Sequence, residues 1–156
     1  MLQGEHSVIL DEKNRLTLPA GLRKELDTSA IVITKGTDKC LWLYTSSEWE
    51  EQFANIIKEN TDPFSRKDLR LFRKYVASSQ SIEIDKSGRV LLPESLREYA
   101  GISKDCVVLG SIYRIEIWDD KNYRDYCNED DEENANEFEA ASEELSQRIK
   151  RQRGIE

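Results

Sequence analysis

Ser81-Ile82-Glu83-Ile84-Asp85-Lys86-Ser87-Gly88-Arg89-Val90-Leu91-Leu92-Pro93-Glu94-Ser95-Leu96-Arg97-Glu98 decides how this chain folds, because it restates a stretch met earlier. Residues 7–24 run Ser7-Val8-Ile9-Leu10-Asp11-Glu12-Lys13-Asn14-Arg15-Leu16-Thr17-Leu18-Pro19-Ala20-Gly21-Leu22-Arg23-Lys24. At an offset of 74 seven positions are identical: Ser7/Ser81, Asp11/Asp85, Arg15/Arg89, Leu18/Leu92, Pro19/Pro93, Leu22/Leu96 and Arg23/Arg97. Such a repeat is a supersecondary unit that buries its apolar face against its twin. The shared Asp-x-x-x-Arg also presents any surface it builds at least twice, which suits a partner that is itself repetitive.

Working outward, Leu16-Thr17-Leu18 and Ile82-Glu83-Ile84 alternate with the period of half-buried strands. The polar segments Asp11-Glu12-Lys13-Asn14 and Asp85-Lys86-Ser87-Gly88 separate strands, so each copy reads as strand, tight turn, strand. Gly88 supplies a positive φ without steric cost, and asparagine, as at Asn14, tolerates the same backbone. Pro19 and Pro93 suit the first turn of a helix, where no N–H is needed. Those helices end near Leu26 and Ala100-Gly101, with Leu22 and Leu96 facing inward. Buried strands follow at Ala30-Ile31-Val32-Ile33-Thr34 and Cys106-Val107-Val108-Leu109. Turns come next, Gly36 matching Gly110 at the same offset of 74. Leu41-Trp42-Leu43-Tyr44 and Ile115-Glu116-Ile117-Trp118 complete a second hairpin in each copy. Trp49 falls on Tyr123, in helices starting near Ser46 and Asp120.

The expected organisation is a first repeat at 1–60, a linker helix within 61–78, a second repeat at 79–128 and a charged C-terminal helix or tail at 129–156. Ser65 and Asp68 mark a cap for a helix from Arg66 to Val76, with Leu69, Phe72 and Val76 on one face. The class is α+β, rich in β.

The net charge of −8 is unevenly spread. Residues 1–118 hold 17 Lys and Arg against 18 Asp and Glu, whereas residues 119–144 hold 2 against 12. The repeat-bearing body is therefore near neutral and able to carry a local basic face. Three cysteines without a C-x-x-C pairing read as reduced thiols, and a single histidine argues against a zinc site or a histidine triad. With no phosphate-binding glycine loop or nucleophile elbow either, the chain reads as a non-enzyme without metal or cofactor. No apolar run approaches a membrane span, and a cytoplasmic protein is expected.

Arg15 and Arg89 are the strongest candidates for function. Each closes a turn at the start of a strand, four residues after Asp11 or Asp85. The aspartates either staple the turn by an ion pair or serve the site directly. A guanidinium, with five donors, can pair with aspartate and still offer N–H groups outward. On a two-stranded ribbon, arginine reaching guanine is the commonest specific contact in the major groove. Lys13, Asn14, Lys86 and Ser87 would add phosphate contacts that position without specifying. Arg23 and Arg97 read as structural charges near a helix C-terminus.

Gly4, the run 11–19, the run 85–101, and Val108-Leu109-Gly110 through Arg114-Ile115-Glu116-Ile117-Trp118 together resemble the MraZ family. The resemblance covers about residues 1–125. It implies tandem SpoVT/AbrB-like halves, each a β-hairpin, short helix and second hairpin, packed about a pseudo-twofold axis into a β-barrel-like core with flanking helices. It further implies a nucleoid-associated transcriptional regulator of the bacterial division and cell wall gene cluster. Such a regulator forms a homo-oligomeric ring, an octamer or larger, and binds direct repeats in double-stranded promoter DNA through its Asp-x-x-x-Arg loops. The rival reading is an antitoxin-like or scaffold module that binds protein. Asn14 stands where such a turn usually carries glycine, and the acidic C-terminal segment lies outside the signature.

Overall fold

A computed structural model describes residues 1–154. The chain divides into two compact units, one ending at Asn122 and the other beginning at Tyr123. In the first unit the strands are β1 (Glu5–Ile9), β2 (Arg15–Thr17), β3 (Ala30–Lys35), β4 (Leu41–Thr45), β5 (Gln80–Glu83), β6 (Arg89–Leu91), β7 (Asp105–Gly110) and β8 (Ile115–Asp119). Six of them form one antiparallel sheet in the order β1-β7-β8-β4-β3-β5, and β2 pairs with β6 alone. The protein is mixed α and β, as its pattern of elements foretold. The six-stranded sheet has β1 and β5 as its two edges, so these strands lie open instead of closing a barrel.

The sheet order reads the same from either end once β1, β3 and β4 are matched with β5, β7 and β8. The repeat therefore shapes the whole sheet. The strand pairing inside each copy differs from the expected first hairpin, however. β1 pairs with β7 and β5 with β3, while β2 leaves its own copy to pair with β6. The reason lies in the apolar residues flanking each turn: Leu10, Leu16, Ile84 and Val90 all enter one shared core. A closed local hairpin would bury them only against their own copy.

That core contains Leu18, Leu22, Ile31, Ile33, Leu41 and Leu43 with their counterparts Leu92, Leu96, Cys106, Val108, Ile115 and Ile117. In this set Ile31 answers Cys106 and Ile33 answers Val108, an offset of 75. The second copy gains one residue before β7 and loses one in the turn after it. The expected match of Gly36 with Gly110 is thus out by one. Gly36 lies in a turn, donating to the Cys40 carbonyl at 2.8 Å. Gly110 ends a strand so close to Gln3 that a Cβ would fall 2.3 Å from its backbone nitrogen.

Short helices Ala20–Leu26 and Glu94–Ala100 follow Pro19 and Pro93, and each ends on a left-handed residue, Asp27 (φ 52°) or Gly101 (φ 65°). A longer helix covers 46–60, capped by Thr45 Oγ1 accepting from Glu48 N at 3.1 Å, with a π-helical stretch at Trp49–Ala54. The linker helix runs over 66–76, as the Ser65 cap predicts, but turns π-helical at Phe72–Val76. That wider turn rotates the face by about one residue. Val76 is exposed, and Tyr75 instead stacks on Trp42 with ring centroids 5.6 Å apart. Trp42, Tyr44, Trp49, Phe53 and Tyr75 make a satellite aromatic cluster over the sheet, with the Arg114 guanidinium 4.0 Å from the Trp42 ring.

In the second unit, Glu132–Gln152 forms an exposed helix whose cap Asp131 accepts from Asn134 N at 3.1 Å. No residue of that helix is buried, and Phe138, Leu145 and Ile149 stand in solvent.

Candidate nucleic-acid interface

The two Asp-x-x-x-Arg segments fold into the same loop. In the first, Asp11 Oδ1 accepts from the backbone N–H groups of Lys13 (2.9 Å) and Arg15 (2.8 Å), and Oδ2 accepts from Arg15 Nε (2.8 Å). In the second, Asp85 Oδ1 accepts from Ser87 and Arg89, both at 2.9 Å, and Oδ2 from Arg89 Nε at 2.8 Å. The turn is closed on the backbone by Asn14 N donating to Asp11 O (3.0 Å) or Gly88 N to Asp85 O (2.9 Å). Aspartate suits the role because its short carboxylate can bond its own backbone two residues on. Asn14 (φ 61°) and Gly88 (φ 78°) both take the left-handed conformation the turn demands. Asparagine is among the residues that reach it at small cost.

Both carboxyls are held below the usual carboxylate range, chiefly by the backbone N–H of Arg15 or Arg89, against a weaker upward push from desolvation. The ionised form is the one the loop binds.

The loops are not independent. Leu18 N donates to Gly88 O at 2.9 Å and Leu92 N to Asn14 O at 3.0 Å, so each turn is latched to the strand of the other copy. Between them lies the β2–β6 ribbon, in which Arg15 faces Leu91, Leu16 faces Val90 and Thr17 faces Arg89. Leu16 and Val90 are fully buried, which fixes the opposite face outward. Alternation along a strand then puts Arg15, Thr17, Arg89 and Leu91 together on the outer face. Arg15 and Arg89 are diagonal neighbours there, roughly 7–8 Å apart at Cα.

Each guanidinium spends Nε on its aspartate, and among the described residues its two terminal nitrogens have no protein partner. The side chains of Arg15 and Arg89 remain 28% and 35% exposed. Pinned at one nitrogen and open at the other two, each presents a planar pair of donors in a fixed direction. Lys13, Lys86 and Ser87 are exposed around them, whereas Asn14 is half-buried and its backbone is committed to the turn and the latch. Every residue the sequence nominated thus lies on one of the two latched loops or at the start of the ribbon strand that follows it.

One residue that sequence reasoning assigned elsewhere also lies here. Arg23 packs on the second loop, not on its own helix end: a Cβ added to Gly88 would fall 1.7 Å from Arg23 Nη1. Its repeat counterpart behaves differently, with Arg97 Nε donating to Leu92 O at 3.0 Å. The available signal was the bare glycine at the turn of one copy and its absence from the other.

Among the described residues no cluster of three metal-ligating side chains occurs, and no helix is long and apolar enough to cross a membrane.

A family model described as "MraZ protein, putative antitoxin-like" matches residues 1–71 and 76–149, so each matched segment holds one Asp-x-x-x-Arg loop. The chain is 41% identical over 142 residues to the transcriptional regulator MraZ of Treponema denticola, covering 91% of this chain and 98% of that protein. This chain belongs to the MraZ family. It is also 39% identical over 126 residues to the transcriptional regulator MraZ of two strains of Treponema pallidum, one of them strain Nichols, covering 81% of this chain and 84% of each. Within this MraZ chain the two matched segments part inside the linker helix 66–76. The aromatic cluster draws on both segments, with Trp42, Trp49 and Phe53 from the first and Arg114 from the second.

Proposed function

We propose that this MraZ chain is a sequence-specific DNA-binding transcriptional regulator that reads promoter direct repeats with the outer face of its β2–β6 ribbon. One observation carries the reading: both arginines stand on one solvent-facing ribbon surface with their terminal nitrogens unfilled. A two-stranded ribbon fits the major groove, where arginine meets guanine O6 and N7 in bidentate fashion. Lys13 and Lys86 sit at the two ends of the ribbon, where phosphates would pass. The palindromic sheet order supports two SpoVT/AbrB-like halves about a pseudo-twofold axis.

A single ribbon makes few contacts, so firm binding needs several protomers. Linked sites can raise avidity by about 10² to 10⁴ without new contacts. A head-to-tail ring suits direct repeats, because successive protomers present the same face in the same sense. The exposed face carrying Phe138, Leu145 and Ile149 on the helix Glu132–Gln152 offers apolar surface for such an assembly. Regulation of the division and cell wall gene cluster, and a place in the cytoplasm on the nucleoid, follow from the same reading.

The same apolar stripe, together with the antitoxin-like wording of the family model, favours a second reading as a protein-binding module. Gel-shift titration on a promoter fragment with direct repeats decides between them. Arg15→Ala and Arg89→Ala should each weaken binding about tenfold or more, given about 1–3 kcal/mol for a bidentate base contact. Unchanged binding by both variants refutes the loop assignment, and the intact mass of the assembly tests the ring.

A further inference from the structure

The two loops share their hydrogen bonds but not what lies on top of them. Gly88 is buried although it sits at a turn, and the side chain against it is Arg23, contributed by the other repeat. A Cβ at Gly88 would come within 1.7 Å of Arg23 Nη1, 2.8 Å of Cζ and 3.3 Å of Cδ. The guanidinium therefore rests in the hollow that glycine leaves. Asn14 carries at the matching point of the first loop the Cβ that Gly88 lacks, and the matching arginine, Arg97, has its Nε committed to Leu92 O.

Arg23 is exposed, and among the described residues its guanidinium has no hydrogen-bond or carboxylate partner. Five donors held in place by packing but left unfilled are a site waiting for an anion. Beside it opens a shallow groove of about 370 Å³, lined in part by Lys24, Lys86, Asp27 and Asp85. Asp85 is already committed to Arg89 and the turn, so three cations face one uncommitted carboxylate. Arg89 closes the same loop on Asp85.

We infer that Arg23 and Lys86 form a phosphate-binding site over the second loop, which grips the DNA backbone beside Arg89 and makes the two loops unequal in strength. The inference rests on the ribbon reading given above. A guanidinium is well matched to a phosphate by its planar fork, whereas at the first loop Asn14 fills the position of the hollow and Arg97 spends its Nε on Leu92 O.

The test is the salt dependence of DNA binding by the full-length protein, measured on a direct-repeat fragment. Removing one phosphate contact lowers the slope of log K against log salt by about one and weakens binding about tenfold near 0.1 M salt. Arg23→Ala should show both effects, and Arg23→Lys, which keeps the charge, should retain the slope. Gly88→Asn keeps a residue that tolerates the turn but evicts the guanidinium, so it should mimic Arg23→Ala, and the double variant should lose nothing further. Arg97→Ala should leave slope and affinity alone. An unchanged slope for Arg23→Ala overturns the inference, whether or not the melting temperature falls, because the arginine then only props the loop. If the Arg23→Ala slope is unchanged while Arg89→Ala loses binding in the same series, the ribbon reading survives and the phosphate site does not. If Arg15→Ala and Arg89→Ala both bind normally, the ribbon reading itself fails.

Discussion

Loop 11–15 and loop 85–89 differ at three of their five positions, yet they make the same set of hydrogen bonds within 0.1 Å of one another. What fixes the shape is the aspartate acceptor, the arginine that closes on it and a residue able to adopt a positive φ. Glu12, Lys13 and Asn14 can become Lys86, Ser87 and Gly88 because those side chains do not hold the turn. The change from Asn14 to Gly88 matters outside the loop instead, by opening a seat for Arg23. A second difference lies across the ribbon: Arg15 faces exposed Leu91, while Arg89 faces Thr17. One backbone design thus carries two chemical surfaces.

The largest expected effect comes from breaking what joins the loops. Leu16 is fully buried opposite Val90, and Leu16→Ala should cost about 2–5 kcal/mol, read as a lower urea midpoint with an unchanged slope. Because each turn is latched to the other copy's strand, both loops should lose DNA binding together. Retained function in one loop alone would show that the latch is dispensable.

A smaller effect follows from the aspartates. Their carboxyl pKa values are lowered in the folded protein, first by the backbone N–H of Arg15 or Arg89. Stability from this source is present above the ordinary aspartate pKa, about 3.9, and disappears as the pH falls through the lower folded value. Asp11→Asn and Asp85→Asn should therefore melt below the parent at neutral pH, with the gap narrowing on acidification below about pH 4. The two variants should behave alike, since their bonds match. A gap that persists unchanged in strong acid would show that the carboxylate charge is not what the loops hold.

Much of this was legible in the sequence, and the failures share a cause. Seven identities at a fixed offset gave the repeat, the loops and the short helices, and period-two patterns marked the strands. Pairing partners were not legible: Leu10 and Leu16 look the same whether their strands close on each other or on another copy. The one-residue shift between β3 and β7 was hidden because a gain before the strand cancels a loss after it. Asn14 and Gly88 were correctly read as turn residues from their backbone preferences. Arg23 was missed because a helix-end arginine has a local explanation, while its true contact lies 65 positions away at Gly88. The π-helical turn at Phe72–Val76 likewise answers to the aromatic cluster, and no local pattern announces it.

The smallest effect, and the sharpest probe of the comparison, is Asn14→Gly. Glycine removes the modest cost of a left-handed asparagine but makes the unfolded chain more flexible, and these oppose one another. The net change in stability should stay within about 1 kcal/mol, measured by urea unfolding. The substitution also clears the hollow that Gly88 already offers on the other loop. Arg97 is tied to Leu92 O, so it should stay there and leave the salt slope of DNA binding unchanged. A slope that rises by about one would show Arg97 crossing to the first loop, and the inequality of the two loops would then be set by a single Cβ.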